Sequence, residues 1–138
     1  MSFILGIDPG TRKAGFAIVD ASSGSVADLG IESIDALLER ARALIARHSV
    51  VTIALGRGTN ADALGSALAG LGVPVELVDE RETTLQARSL YFADHPPRGW
   101  RKLLPLGMQV PPRPIDDYAA VLIARRSLTE ASEHSNLV

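Results

Sequence analysis

The N-terminal part of the chain alternates between short apolar runs and polar turns, which is the pattern of a β-meander. Apolar runs that are rich in β-branched residues predict strands over residues 3–8, 14–20 and 26–31. The first turn carries Pro-Gly-Thr-Arg-Lys and the second carries Ser-Ser-Gly-Ser. Because both connections are short, the three strands are predicted to pair antiparallel.

The remaining sequence alternates between helical and strand patterns. Ser33 is a favourable cap for a helix that ends at about residue 48, and a continuous apolar run over residues 50–55 predicts a strand buried on both faces. The later predicted elements are a helix from Asn60 to about residue 71, a strand over residues 75–79, a helix over about residues 82–93, a proline-rich loop over residues 95–114 and a helix from residue 115 to about residue 131.

Helical spacing also predicts which sides of these helices are buried. The expected inner residues are Leu64, Ala67 and Leu68 in the second helix and Tyr118, Ala119, Leu122 and Ile123 in the last. Right-handed crossovers would make the fourth and fifth strands parallel to the first. The fold class predicted is therefore α/β, with a mixed five-stranded sheet of order 3-2-1-4-5 flanked by helices.

Composition narrows the class of protein. The 138 residues suit one domain, assigned to residues 1–131 with a flexible tail over residues 132–138. The absence of cysteine excludes disulfides, thiolate zinc sites and a cysteine nucleophile. No signal-type start and no apolar run long enough to span a bilayer is present, which predicts a cytoplasmic protein without a membrane partner.

Three carboxylates suggest a site of chemistry, because each lies at the edge of an apolar element. They are Asp8, Glu80 and Asp116. The first, fourth and fifth strands are predicted to end at one edge of the sheet, where Asp8, Gly56 and Glu80 would arrive together. Oxygen ligands of this kind favour Mg²⁺ or Mn²⁺ and metal-assisted cleavage of a phosphodiester. Taken singly, Asp8 could be a turn residue, and the other two acids could simply begin helices.

Two further residues belong to this hypothesis. Gly56 has no side chain, so the end of the fourth strand would leave room for the metal or for Glu80. Asp117 follows Asp116 and would lie about 100° round the helix, where it is expected to support the metal from an outer position.

Cations near these acids are predicted to bind phosphate. The net charge of −2 does not itself indicate a nucleic-acid partner, but basic residues outnumber acids between residues 81 and 116. The predicted substrate-binding residues are Thr11, Arg12, Lys13, Arg81, Arg98, Trp100, Arg101 and Lys102. Trp100 could stack on an unpaired base. The alternatives are a solvated hairpin tip, an ordinary charged surface and a tryptophan that covers the core.

These motifs resemble a known superfamily. The element order and the placement of the acids look like the ribonuclease H-like fold, and Ile-Asp-Pro-Gly-Thr at residues 7–11 resembles the first motif of RuvC-type Holliday junction resolvases. The segments Val-Asp-Glu-Arg-Glu-Thr-Thr at 78–84 and Ile-Asp-Asp-Tyr-Ala-Ala at 115–120 resemble the YqgF family, small RuvC-like proteins implicated in maturing the 5′ end of 16S rRNA. The resemblance covers almost the whole chain.

Departures from the resolvase pattern favour the YqgF resemblance. The fourth strand ends at Gly56 without the carboxylate that resolvases carry there, and Ala119 stands where they carry a further acid. The resemblance implies a Mg²⁺- or Mn²⁺-dependent nuclease acting on RNA, with Asp8, Glu80 and Asp116 as catalytic metal ligands. The alternatives are a DNA junction resolvase, which requires a homodimer, and a non-catalytic nucleic-acid-binding module. Both a monomer and a homodimer remain open.

Overall fold

A central sheet organises the protein. The computed structural model describes residues 2–58, 61–78, 90, 93 and 116–136, with the side chains of residues 117–127 in the last helix. The strands are β1 (Phe3–Pro9), β2 (Lys13–Asp20), β3 (Val26–Ser33), β4 (Val50–Gly56) and β5 (Val75–Val78). Their order is β3-β2-β1-β4-β5. The first three strands pair antiparallel, and β4 and β5 run parallel to β1. The predicted topology is confirmed.

Three helices are described in full backbone: α1 (Ile34–Arg47), α2 (Ala61–Ala69) and α3 (Asp116–Asn136). The Ser33 hydroxyl accepts a hydrogen bond from the Ala36 N–H at 3.3 Å, which confirms the predicted cap. No described helix combines the length and the apolar character that crossing a bilayer requires. The predicted cap Asn60, most of the predicted helix 82–93 and the loop 95–114 lie outside the described residues.

The last helix is longer than predicted. It begins at Asp116 and continues to Asn136, although the sequence pattern predicted an end at about residue 131. The segment contains neither glycine nor proline, so nothing in its composition stops the helix earlier.

Helices cover both faces of the sheet. On one face, α1 and α2 pack against the side chains of β1, β2 and β4, with Leu5, Leu37, Ile53 and Leu68 almost fully buried. On the other face α3 packs across β1 and β2. Alternation along β1 assigns odd-numbered residues to the first face and even-numbered residues to the second.

Two predictions of burial are wrong. β4 is buried only in its second half, and the Val51 side chain is 47% exposed. The pairing jumps from Phe3 with Val50 to Ile4 with Thr52, so Val51 is an extra residue that has no partner in β1. Ala67 is exposed because α2 contacts the core mainly through Leu68.

The contact face of α3 also differs in part from the prediction. Tyr118, Ala119 and Ile123 are buried as expected. However, the residues that contact the sheet are Ala120, Val121, Ile123 and Ala124, whereas Tyr118 and Ala119 pack with Leu90 and Leu122 in a separate cluster. Short side chains on the contact face allow the helix to approach the sheet closely.

Candidate active site at the carboxyl edge of the sheet

The parallel strands end together at one edge. Ile7 pairs with Leu55, and Gly56 pairs with Val78. Asp8 and Gly56, the next residues along β1 and β4, therefore lie side by side at this carboxyl edge. Glu80 comes two residues after Val78 and lies outside the described residues, so its predicted role stays a prediction.

Asp8 has glycine neighbours on both sides. Directly opposite it in β2 is Gly15, and Gly56 follows the last pair with β4. Residues opposite each other in an antiparallel pair place their side chains on the same face. The carboxylate of Asp8, which is half-buried, thus has no side chain beside it from either paired position. A ligand can approach it there more readily than it could beside larger residues.

The close approach of α3 to β1 is possible because of Gly6. A Cβ atom at Gly6 would collide with the carbonyl oxygen of Ala120 and lie 2.9 Å from the Cβ of Ala124. Gly6 and Asp8 share the face that α3 covers. The helix therefore crosses β1 at Gly6, which is the residue before Asp8 on the same face of the strand.

The direction of α3 brings its first turn to the carboxyl edge. Arg125 donates from Nε to the carbonyl oxygen of Gly24 at 3.0 Å, and Gly24 lies in the turn after β2, at the opposite edge of the sheet. Asp116 precedes Ala120 by four residues, about one turn and 6 Å. The start of α3 thus extends from Gly6 towards the end of β1 that carries Asp8.

Asp117 is a buried acid in this first turn, with only 3% of its surface exposed. Its Oδ1 accepts a hydrogen bond from the Tyr118 N–H at 3.0 Å. A carboxylate in the first helical turn is stabilised by the positive end of the helix, which offsets part of the cost of burial. Its burial distinguishes Asp117 from a solvent-exposed acid at a helix start.

The described acids do not by themselves form a complete metal cage. Among residues whose side chains are described, no group of three or more acids or histidines could hold a metal ion. Asp8 and Asp117 are the described members of the predicted set; the Asp116 side chain and Glu80 fall outside it. All the donors in the set are carboxylate oxygens, which suits Mg²⁺ or Mn²⁺ and not a soft metal.

The predicted hairpin tip lies at the same edge and faces solvent. Thr11, Arg12 and Lys13 are exposed. The Gly10 N–H donates to the Lys13 carbonyl oxygen at 2.9 Å, and the Ile34 N–H donates to that of Arg12 at 2.9 Å. The backbone of the tip is therefore held while its cations remain accessible. Their role in substrate binding stays a prediction.

Five other residues are predicted to bind the substrate. They are Arg81, Arg98, Trp100, Arg101 and Lys102, and all lie outside the described residues.

Two features of this edge are not indicated by the sequence motifs. One is Gly15, whose position opposite Asp8 follows only from the strand register. The other is Arg57, an exposed cation directly after β4 that lines a cavity of about 670 Å³. The signal was present in the sequence, since Arg57 follows the apolar run that ends in Gly56, but no spacing rule distinguishes it from other surface arginines.

A different acid has a structural role. Asp20 ends β2 at the opposite edge, where its Oδ1 accepts hydrogen bonds from the Ser22 hydroxyl at 2.7 Å and from the backbone N–H groups of Ser22 and Ser23 at 2.8 and 3.0 Å. These bonds, led by that of the Ser22 side chain, lower the pKa of Asp20 to about 2. The role of the Asp20 carboxylate is therefore to hold the turn after β2, and no ligand is needed to account for it.

Comparison with known proteins agrees with the fold and the motifs. No protein-family model matches the chain. A curated protein of Pelotomaculum thermopropionicum named "Putative pre-16S rRNA nuclease" is 32% identical over 141 residues, which cover 91% of this chain and 85% of the relative.

Solved structures show the same architecture. RuvC of T. thermophilus, solved with a Holliday junction substrate, has a TM-score of 0.59 at 21% identity and covers 95% of this chain and 93% of its own. The large terminase nuclease of the thermophilic phage G20c has a TM-score of 0.56 at 16% identity, over 88% of this chain and 80% of its own. The fold is ribonuclease H-like, as the element order predicted. With the relative identified above, this chain belongs to the YqgF family of RuvC-like nucleases.

Proposed function

We propose that this protein is a divalent-metal-dependent nuclease that hydrolyses phosphodiester bonds in RNA, and that it matures the 5′ end of the 16S rRNA precursor. The observation that carries the proposal is the convergence of Asp8 and the acidic start of α3 on one edge of a ribonuclease H-like sheet. The choice of RNA follows from the name of the curated relative.

Asp8, Glu80 and Asp116 are proposed to hold Mg²⁺ or Mn²⁺, with Asp117 in support. The set consists of carboxylates alone, and Asp117 is a buried acid in the first turn of α3, which fits a hard cation. When bound, the ions would polarise the scissile phosphate and stabilise the leaving 3′-oxygen.

The remaining residues bind and orient the strand. Gly15 and Gly56 leave space beside Asp8 for a phosphate to approach. Arg12 and Lys13 at the exposed hairpin tip would bind phosphates next to the cut, with Thr11 as a hydrogen-bond donor.

The segment outside the described residues completes the proposed interface. Arg81 would orient Glu80 or bind phosphate. Trp100 would stack on an unpaired base, and the cations beside it, which are Arg98, Arg101 and Lys102, would hold the adjoining backbone.

The test is Asp8→Asn, assayed on single-stranded RNA with Mg²⁺ and with Mn²⁺. We expect cleavage to fall by about 1,000-fold or more, because a lost metal ligand removes several kcal/mol of transition-state stabilisation. The fold should survive, and thermal stability without metal should hold or rise, since one of several like charges is removed.

Asp28→Asn is the matched control, because Asp28 is a half-exposed strand acid in β3, two strands from β1. Its Oδ1 accepts the Leu29 N–H at 2.9 Å, a bond that asparagine can also form. The control should cut RNA at the wild-type rate. An Asp8→Asn protein that still cut RNA would contradict the assignment. RNA binding that is independent of metal, with no cleavage by the wild type, would support the non-catalytic module instead.

A further inference from the structure

A cavity lies beside the candidate active site, on the β5 side of Asp8. Its volume is about 670 Å³, within the range of roughly 300–1,000 Å³ that is typical of small-ligand pockets. It is lined by Arg57, Gly58, Ala61, Asp62, Ala63 and Leu77. We call it the flanking pocket. Among the described residues that line it, none belongs to the metal-binding or substrate-binding set described above.

The sheet register sets its distance from the site. Leu77 pairs with Leu55, which in turn pairs with Ile7. Neighbouring strands lie about 4.8 Å apart, so the Leu77 backbone is about 10 Å from that of β1. The Arg57 N–H donates to the Val78 carbonyl oxygen at 3.2 Å, which ties the start of the loop to β5. Leu55 belongs to the face that α1 and α2 cover, and Leu77 shares that face by its pairing, whereas Asp8 lies on the α3 face. A strand bound at Asp8 would therefore reach the pocket by passing over the carboxyl edge of the sheet.

The chemistry of the pocket matches one nucleotide. Arg57 is exposed, and its planar guanidinium suits a phosphate. Leu77 is 38% exposed, and with the two alanines it offers an apolar wall to a base or a ribose. Few described large apolar residues are this exposed, so the wall is not a general property of the surface.

The N-terminus of α2 does not supply a second positive charge for a phosphate in this pocket. Asp62 lies in the first turn of α2, where its negative charge offsets the positive end of the helix. Among the described residues that line the pocket, Arg57 is therefore the one that attracts a phosphate.

The pocket and the hairpin tip lie on opposite sides of Asp8 along the carboxyl edge of the sheet. The hairpin tip with Arg12 and Lys13 lies on the β2 side of Asp8, and Arg57 lies on the β4 side. A single strand that crosses the edge would meet a cation on each side of the carboxylate.

We propose that the flanking pocket holds one nucleotide of the substrate strand on one side of the cleaved bond, with Arg57 on its phosphate and Leu77 against its base or ribose. This inference rests on the proposed function, because it names a subsite for the same substrate. It makes Arg57 a substrate-binding residue and adds no step to the reaction.

Binding of single-stranded RNA tests the proposal. The probe is a fluorescent oligoribonucleotide of about ten nucleotides, titrated over a range of salt concentrations. The protein carries Asp8→Asn so that the RNA stays intact. Arg57→Gln should weaken binding about tenfold and lower the slope of log K against log salt by about 0.7, the value for one phosphate on a single strand. Arg57→Lys should retain the slope.

Arg47→Gln is the matched control. Arg47 is also exposed, but it lies in the last turn of α1, and Ser49, two residues later, accepts a hydrogen bond from Phe3 at the start of β1. It is therefore at the edge opposite Asp8, and its loss should change neither affinity nor slope.

A second probe identifies the phosphate. One methylphosphonate is placed at successive positions of the RNA. At one position the methylphosphonate should weaken binding to the protein that keeps Arg57. At that same position it should cause no further loss of affinity in the Arg57→Gln variant.

The outcomes separate the two proposals. If the wild type cuts RNA and Arg57→Gln binds it as tightly as the parent, the pocket proposal is wrong and the nuclease stands. If binding depends on Arg57 but the protein with Asp8 intact cuts nothing, the pocket stands and the nuclease proposal fails. Equal losses for Arg57→Gln and Arg47→Gln, or no binding at all, overturn the pocket proposal.

Discussion

At the scale of single residues, the candidate site is shaped by glycines, which have no side chain, as well as by its acids. Asp8 has Gly15 opposite it and Gly56 beside its strand end. A strand that ends in an acid is common, but here neither neighbouring strand places a side chain next to that acid at the paired position. Gly6, one side-chain position earlier, allows α3 to approach.

A second residue-scale feature is the acid that does not serve the site. Asp20 has a pKa lowered from 3.8 to about 2, chiefly because the Ser22 side chain donates to it, with further bonds from the Ser23 and Ser22 backbone. The folded state therefore favours the charged form. This contribution to stability is fully present above pH 3.8 and is lost as the pH falls towards about 2.

We expect Asp20→Asn to remove this dependence. At neutral pH the variant should be less stable than the wild type, and the difference in the free energy of unfolding should shrink as the pH is lowered from about 5 to about 2.5. Urea unfolding at a series of pH values measures it. A difference that stays constant over this range would show that the charge of Asp20 makes no contribution.

At the scale of elements, the packing of α3 on β1 carries the acidic helix start to Asp8. The helix is held at its far half by Arg125 on the Gly24 carbonyl oxygen and by the Ser127 hydroxyl, which donates to Glu76 at 2.8 Å. Nearer its start, the contact at Gly6 sets how closely the helix approaches β1.

Gly6→Ala tests this arrangement. The new methyl group would collide with backbone of α3 at Ala120, so we expect a loss of about 1–3 kcal/mol in stability, as for an overpacked core. Cleavage should fall by more than the loss of folded protein explains, because the helix must move away from β1. Chemical denaturation and the rate per folded molecule are the measurements.

Gly65→Ala is the control for this substitution. Gly65 lies inside α2, and a Cβ there would meet Leu55 Cδ2 at 3.5 Å, an ordinary contact. We expect it to stabilise the protein by about 0.5–1 kcal/mol, the helical preference for alanine, with unchanged cleavage. Equal destabilisation by both substitutions would contradict a special role for the Gly6 contact.

At the scale of the whole molecule, the distribution of charge matters more than its sum. The net charge is −2, so the protein as a whole does not attract a polyanion. Cations at the hairpin tip and at Arg57 lie on either side of the acidic edge instead. Such a surface favours one strand laid across the edge over non-specific coating of the protein.

We therefore expect single-stranded RNA to be cut and a four-way DNA junction not to be resolved. A resolvase must cut two strands with symmetry-related sites, which requires a dimer. Gel assays on both substrates with Mg²⁺ and Mn²⁺, combined with the molar mass in solution by light scattering, measure this. Paired, symmetrical cuts in the junction by a stable dimer would support the resolvase alternative.

Much of the fold follows from local pattern. The three strands of the meander, the capped helix α1 and the order of the sheet were predictable because burial repeats every two residues in a strand and every 3.6 in a helix, and short connections leave few topologies. Asp8 stands out as a candidate because an acid near the end of an otherwise apolar strand conflicts with that pattern.

Other features depend on contacts between distant parts of the chain. The extra residue Val51 arises from the pairing of β4 with β1, and the α3 residues that contact the sheet are selected by the close approach at Gly6. Neither leaves a local signature, since any of several apolar faces of α3 could have packed.

The sequence by itself determined the described strands and helices, their order, and the positions of Asp8 in β1 and of the acids that begin α3, because each depends on neighbours along the chain. Only the tertiary structure decided that Gly15 lies opposite Asp8, that the start of α3 points to the same edge, and that Arg57 lines a pocket there. These relations depend on register and on helix approach, which are fixed when surfaces far apart in sequence pack together.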